Sequence, residues 1–144
     1  MGQSWPEGRF CSNLLSGCVN TALAQIMAYF EHPIQMNVTY DNAEISVLNL
    51  DWSEIKKYVG SSYSNTANST TLENIGHLCR QLGQLTNTKY EAGGSYARSD
   101  SALIIMSDLG YTVSPNLINY NNNVNFQSAL NNNNLIYMGG FEEG

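Results

Sequence analysis

The feature that most constrains this chain is an apolar run that begins at a cysteine, "CVNTALAQIMAYF" at residues 18–30. Its apolar side chains recur at the i, i+3, i+4 spacing of one helix face. They are Val19, Ala22, Leu23, Ile26, Met27 and Phe30. Pro33 disfavours helical backbone at the residue before it, which is His32. The pattern therefore predicts a buried helix that carries a thiol at its first position and ends before Pro33.

Two further helices are predicted from apolar spacing and from capping residues. Thr71 is the predicted cap of the second helix. The third helix is predicted within "RSDSALIIMSDLGY", residues 98–111, where Gly110 stops it. The shared face of the second helix consists of Leu72, Ile75, Leu78, Cys79, Leu82 and Leu85.

Shorter segments complete the predicted pattern. Residues 52–59 are predicted to form a short helix with Ser53 as its cap, and residues 124–130 are predicted to form another. Three segments are predicted to be non-helical: an extended stretch at 38–52 with a turn at Asp41–Asn42, a glycine-rich loop at 90–97, and a strand at 134–140. Helices followed by a strand favour the α+β class, in a single domain over residues 1–144.

Composition excludes several classes of function. The chain has a net charge of -6 with only 6 Lys plus Arg, which disfavours nucleic acid or an anionic membrane as partner. No apolar run is long enough for a membrane span, and the first residues lack the basic start and apolar core of a signal peptide. The 3 cysteines and 2 histidines show no zinc-ligand spacing. We therefore expect no zinc site.

The position of Cys18 suits a nucleophile. A thiol attacks as its thiolate, and the unpaired N–H groups and the dipole at a helix N-terminus favour negative charge there. The same N–H groups offer donors for an oxyanion, and Gly17 allows a substrate backbone to approach closely. The alternative interpretation is that Cys18 is a small apolar residue that fills a contact between helix and loop. Position alone does not decide between them.

The stretch "SGCVNTALAQIMAYFEHP", residues 16–33, resembles the nucleophile helix of the streptopain-type cysteine peptidases, secreted bacterial members of the papain-like clan. Weaker similarities follow in the family's order, from "LDWSEIKKY" through "LCRQLGQLTNTKYEAGGSYARSDSAL" and "DLGY" to "NNNNLIYMGG". The departures within the first motif are Ser16, Asn20 and His32. The matching positions are Gly17, Cys18, Val19, Thr21, Ala22, Ala24, Gln25, Ile26, Met27, Tyr29 and Pro33.

This resemblance implies an α+β, papain-like fold, mainly its helical half, and cleavage of protein or peptide substrates by Cys18. It also implies a removable propeptide, no metal and no cofactor, and a secreted or cell-envelope location in a bacterium. The family has a glutamine about six residues before the nucleophile, where this chain has Ser12. Gln3 and Asn13 are the candidates to replace that oxyanion donor.

The resemblance also implies that the loop at residues 93–97 borders the substrate pocket. Its candidate residues are Gly93, Gly94, Ser95, Tyr96 and Ala97. Tyr96 stands where the family has a small glycine. The alternative is that this loop only caps the third helix, with Ser95 as N-cap.

Neither histidine of the chain is expected to be the catalytic base. His32 lies about 21 Å from Cys18 along one helix at the usual rise per residue. His77 falls inside the second helix among leucines, where packing is the expected role. In the family, the catalytic histidine follows the strand that resembles "LIYMGG". We therefore expect a partial peptidase domain whose base comes from further sequence or a second chain; the alternative is a non-catalytic binding or structural remnant.

Overall fold

The computed structural model describes residues 14–57, 68–114 and 123–137, and for 123–126 it describes the backbone alone. The oxyanion candidates Gln3 and Asn13 lie outside these residues, as do most residues of the polar segment at 60–71. Within the described ranges the chain forms five helices and two small antiparallel sheets.

The first predicted helix is confirmed with its predicted bounds. Helix α1 spans Cys18–Phe30. It ends because Glu31 turns left-handed, with φ 53°, and its N–H bonds back to the carbonyl of Met27. The His32–Pro33 peptide that follows is cis. The apolar stripe faces the core, where Leu23 and Met27 are at most 1% exposed.

A hairpin-like pair of strands follows α1. Strand β1, Gln35–Asn37, pairs antiparallel with strand β2, Val47–Asn49. The turn predicted at Asp41–Asn42 lies between them, and Asn42 has a left-handed φ of 60°. The extended stretch predicted at 38–52 is thus regular strand only over β2.

Helix α2, Trp52–Ile55, is shorter than predicted, and the predicted cap is wrong. Asp51 is the N-cap, because its carboxylate accepts the backbone N–H of Glu54 at 3.2 Å. The Ser53 hydroxyl lies inside the helix and donates to the same carboxylate at 2.6 Å. Both hydrogen bonds hold the pKa of Asp51 below its usual value, and the one from Ser53 has the larger effect.

Helix α3, Ser69–Leu85, begins earlier than predicted. The cap is Asn68 rather than Thr71, because the Asn68 side-chain oxygen accepts the backbone N–H of Thr71 at 2.8 Å. The predicted apolar face is confirmed at its centre, where Ile75, Leu78, Cys79 and Leu82 are fully buried. At its end Leu85 is 39% exposed.

The glycine-rich segment at 90–97 is not a loop. Strand β3, Lys89–Glu91, pairs antiparallel with strand β4, Gly94–Tyr96, across a turn at residues 92–93. Glycine next to a two-residue turn is typical of a hairpin, and the polar sequence hid the strand pairing. Tyr90 lies opposite Ser95 in this hairpin.

The third predicted helix is confirmed as α4, Ser99–Asp108, with Gly110 at φ 92° just beyond its end. Its N-cap is Arg98, so the alternative that Ser95 caps this helix is wrong. Helix α5, Asn123–Asn131, includes the predicted helix at 124–130. Residues 134–137 are neither helix nor strand, and the rest of the predicted C-terminal strand lies outside the described residues.

The core lies where α1, α3 and α4 meet and where β2 and α2 close one side. Its most buried members include Leu23, Met27, Leu48, Trp52, Ile55, Ile75, Leu78, Leu82, Ala102 and Met106. The start of α1 contacts β4, so Cys18 lies at one edge of this core. No helix in the described ranges is long and apolar enough to cross a membrane.

Candidate active site

Cys18 is exposed at the first position of α1, while its neighbours Val19 and Asn20 are buried. The N-cap is Gly17, with φ 94° and ψ 142°, and no side chain caps the helix there. The thiol thus sits where the N–H groups of the first turn have no partner within the helix. The geometry combines an accessible sulfur with backbone donors beside it.

Side chains donate hydrogen bonds to the backbone carbonyls of the three residues directly before Cys18, which are Leu15, Ser16 and Gly17. The Ser95 hydroxyl donates to the carbonyl of Leu15. The Asn20 amide donates to the carbonyl of Ser16 at 2.7 Å. The carbonyl of Gly17 accepts the backbone N–H of Thr21 at 3.1 Å and the Thr21 hydroxyl at 3.0 Å.

These three contacts orient the N–H groups next to the thiol. In a trans peptide the C=O and the following N–H point in opposite directions, and the cis peptide at His32–Pro33 is elsewhere. The carbonyls of Ser16 and Gly17 are directed toward Asn20 and Thr21, so the N–H groups of Gly17 and Cys18 are directed the opposite way. A developing oxyanion needs donors of this kind, fixed before the reaction begins.

The β3–β4 hairpin brings some of the predicted pocket residues to Cys18. A Cβ added at Gly17 would lie 3.3 Å from the carbonyl oxygen of Ser95, so β4 packs directly against the segment before the thiol. Ser95 is 8% exposed and belongs to this contact. The sequence alone had left its role open between pocket border and helix cap.

The other predicted pocket residues differ in their surroundings. Tyr96 is 61% exposed and folds back so that its hydroxyl lies over Gly94, 3.3 Å from where a Cβ there would be. Gly93 faces open space. Ala97 is half-buried and packs against the core.

Both histidines contact groups away from Cys18. His32 follows the opposite end of α1, where its Nε2 lies 2.8 Å from the carbonyl of Leu109 and its ring lies edge-on to Tyr111. A helix of this length separates the two ends by about 20 Å. His77 is buried, stacked on Tyr40 and hydrogen-bonded to that hydroxyl through Nδ1. His77 is thus packed inside the protein, as the sequence predicts.

Sequence reasoning missed one part of the site, the buried polar group around Asn20. This amide reaches the end of α3, where it contacts the hydroxyls of Thr86 and Thr88, each at 2.9 Å. The available signal was that Asn20 departs from the family's alanine. In the described ranges, no group of three or more Asp, Glu, His or Cys side chains is placed to hold a metal.

The mixed helices and small sheets of this chain, with a cysteine at the start of a buried helix, correspond to the helical half of a papain-like fold. The model of the peptidase C10 family, the streptopain family, matches residues 3–138. This chain therefore belongs to the peptidase C10 family. No curated protein sequence matches it significantly.

The solved structures that are similar to this chain include two of proteins from Prevotella intermedia. A fragment of prointerpain A, in a cysteine-to-alanine mutant, matches 73% of the chain with a TM-score of 0.53 and 20% identity. The active wild-type interpain A cysteine protease matches 66% with a TM-score of 0.47 and 22% identity. The matched regions are 38% and 43% of those two chains, so this chain corresponds to less than half of either.

Proposed function

We propose that this chain is the nucleophile-bearing part of a cysteine endopeptidase domain and that Cys18 attacks the scissile carbonyl of protein or peptide substrates. The observation that carries the proposal is the exposed Cys18 thiol at the start of α1, beside N–H groups that the contacts of the Ser16 and Gly17 carbonyls direct away from Asn20 and Thr21. Membership of the peptidase C10 family supports the same reaction.

The reaction has two steps. The Cys18 thiolate adds to the carbonyl carbon, and the Cys18 N–H stabilises the oxyanion until the leaving amine takes a proton and departs. Water then hydrolyses the thioester, which releases the carboxylic acid and restores the thiol. Gln3 and Asn13 stay as candidates for a second oxyanion donor. The pocket is proposed to lie along β4, with Ser95 at its base and Tyr96 at its rim.

The base of this reaction is proposed to come from outside these 144 residues, either from further sequence or from a second chain. The contacts of both histidines support this, because His32 binds at the far end of α1 and His77 is packed on Tyr40. A propeptide partner and a secreted or cell-envelope location in a bacterium are proposed by analogy with the family.

Acylation by p-nitrophenyl acetate tests the nucleophile without the base, because nitrophenolate leaves as an anion and needs no proton. Cys11, a third cysteine of the chain, is replaced by serine so that Cys18 and the buried Cys79 are the thiols that remain. At about pH 9, where ordinary thiols are largely ionised, we expect a burst of nitrophenolate and an acetyl group on Cys18 in the mass spectrum. Cys18→Ser should remove both. A Cys18 that alkylates normally but forms no acyl group would contradict the proposal and favour a non-catalytic remnant.

The same protein tests the proposal about the base. Release of an amine requires a proton donor, so the 144-residue chain should cleave peptides far more slowly than it is acylated by the ester. At about pH 6 an ordinary thiol is mostly protonated, so a neighbouring base would speed acylation by raising the thiolate fraction. At that pH His32→Gln and His77→Gln should leave the acylation rate of Cys18 unchanged. A loss of about a hundredfold, the least expected for a general base, would show that one of these histidines serves Cys18.

A further inference from the structure

The buried side chain of Asn20 connects the segment before Cys18 to the end of α3. One hydrogen of its amide goes to the carbonyl of Ser16 at 2.7 Å and the other to the Thr88 hydroxyl at 2.9 Å. Its oxygen accepts the Thr86 hydroxyl at 2.9 Å. Asn20 is 0% exposed, so water cannot replace these partners.

The three side chains close a ring of hydrogen bonds. Asn20 donates to Thr88, the Thr86 and Thr88 hydroxyls lie 2.7 Å apart, and Thr86 donates to the Asn20 oxygen. A cycle in which each group both donates and accepts is cooperative and resists rotation of any one member. The carbonyl of Leu82, in the last turn of α3, also lies 2.9 Å from the Thr86 hydroxyl and shares its single proton with the Asn20 oxygen.

The carbonyl of Ser16 determines which way the Asn20 amide faces. The carbonyl of Ser16 can only accept, so the amide nitrogen must face it, and the amide oxygen is then held toward Thr86. The Ser16 carbonyl thus accepts from an amide whose other hydrogen goes to Thr88, 68 positions beyond Asn20 along the chain.

We infer that Asn20, held by Thr86 and Thr88, is a positioning residue for the oxyanion-binding N–H groups next to Cys18. The inference rests on the proposed function. It assigns Asn20 no contact with substrate. Its effect passes through the Ser16 carbonyl to the N–H of Gly17 in the same peptide, and from there to the peptide that carries the Cys18 N–H.

The test compares two electrophiles on the same thiol. Acylation by p-nitrophenyl acetate passes through an oxyanion, whereas alkylation by iodoacetamide displaces iodide and forms none. The ratio of the two rates at Cys18 therefore measures the oxyanion contribution separately from the nucleophilicity or accessibility of the thiol.

In the Cys11→Ser background, Asn20→Ala should lower this ratio by about tenfold, less than the hundredfold or more of removing an oxyanion donor outright. The matched control is Gln81→Ala, which removes another buried amide. Gln81 is 1% exposed and pairs with Thr39 in two hydrogen bonds of 2.7 and 2.9 Å, away from the Cys18 segment. Its ratio should stay at the wild-type value.

A second variant and its control, both milder substitutions, keep the inference testable if Asn20→Ala fails to fold. Thr88→Val preserves the side-chain shape but opens the ring, and it should lower the ratio in the same direction. Thr39→Val is its control and should leave the ratio unchanged. Circular dichroism and a melting curve establish that each variant is folded.

The outcomes separate the inference from the proposed function. If wild type is acylated at Cys18 and the folded Asn20→Ala and Thr88→Val variants keep the wild-type ratio, the inference is wrong and the proposed function stands. If the ratio of acylation to alkylation falls equally in the Gln81→Ala and Thr39→Val controls, the loss of any buried hydrogen bond has the same effect. The inference is then again wrong. If wild-type Cys18 is alkylated but never acylated, the proposed function is wrong and the inference falls with it.

Discussion

Replacement of Gly17 by alanine tests the geometry on which the candidate site depends. Gly17 has φ 94° and ψ 142°, close to a region that side-chain-bearing residues essentially avoid. The added Cβ would also lie 3.3 Å from the Ser95 carbonyl oxygen and 3.5 Å from the Ser95 Cβ. Both atoms belong to β4, so relief requires the strand or the segment before Cys18 to move.

The expected cost follows from these two contributions. Backbone strain of this kind costs about 1–3 kcal/mol, and the tight contact brings the total to roughly 3 kcal/mol. For a domain of this size the melting temperature should fall by roughly 6–12 °C. The assay is thermal unfolding followed by circular dichroism, with urea unfolding as a second measure of the free energy.

Gly93→Ala is the matched control, because it lies in the same hairpin. Its added Cβ would meet no atom within 4 Å, and its φ lies outside the left-handed region. That variant should unfold within about 1 kcal/mol of wild type. A Gly17→Ala protein as stable as Gly93→Ala would refute the backbone geometry at Gly17 or its contact with Ser95.

Three other perturbations have expected outcomes. Asn68→Ala removes the cap that accepts the Thr71 N–H, and it should cost about 1 kcal/mol in urea unfolding. Gly83→Ala should lower the melting temperature although alanine favours helix by about 1 kcal/mol, because its Cβ would lie 1.7 Å from the Tyr90 hydroxyl; a stabilised variant would contradict that contact. Burial raises the pKa of Tyr111 from 10.0 to about 12. The unfolded chain then loses this proton at lower pH than the folded one, so stability should decline between these two values, and Tyr111→Phe should weaken that decline in alkaline melting curves.

The accuracy of the sequence predictions followed how local each signal was. Helix α1 was predicted with its observed bounds because its apolar period and the proline beyond it act within a few residues. The predictions that Thr71 and Ser53 are helix caps were wrong. Several adjacent polar side chains at each helix start can cap it, and small differences in geometry decide which one does. The hairpin at 89–96 was missed because its short strands carry no alternating apolar pattern.

At the candidate site, too, the sequence predicted the local features and missed the contacts between distant residues. Sequence placed a cysteine after glycine at the start of a buried helix, and the resemblance assigned it to a peptidase family that the family model confirms. Its role as nucleophile stays a prediction. Sequence did not identify Asn20 and Thr88 as partners, because residues 68 apart come together only when α1 packs on α3.

The sequence by itself determined α1, the cysteine at its first position and the family, because apolar periodicity, glycine and proline act on nearby backbone. Tertiary structure decided which side chains hold the carbonyls before Cys18. Ser95 reaches Leu15 from 80 residues away, and Asn20 finds its ring partners at the end of α3. Buried polar groups must be paired, and only the packed chain shows with which partner.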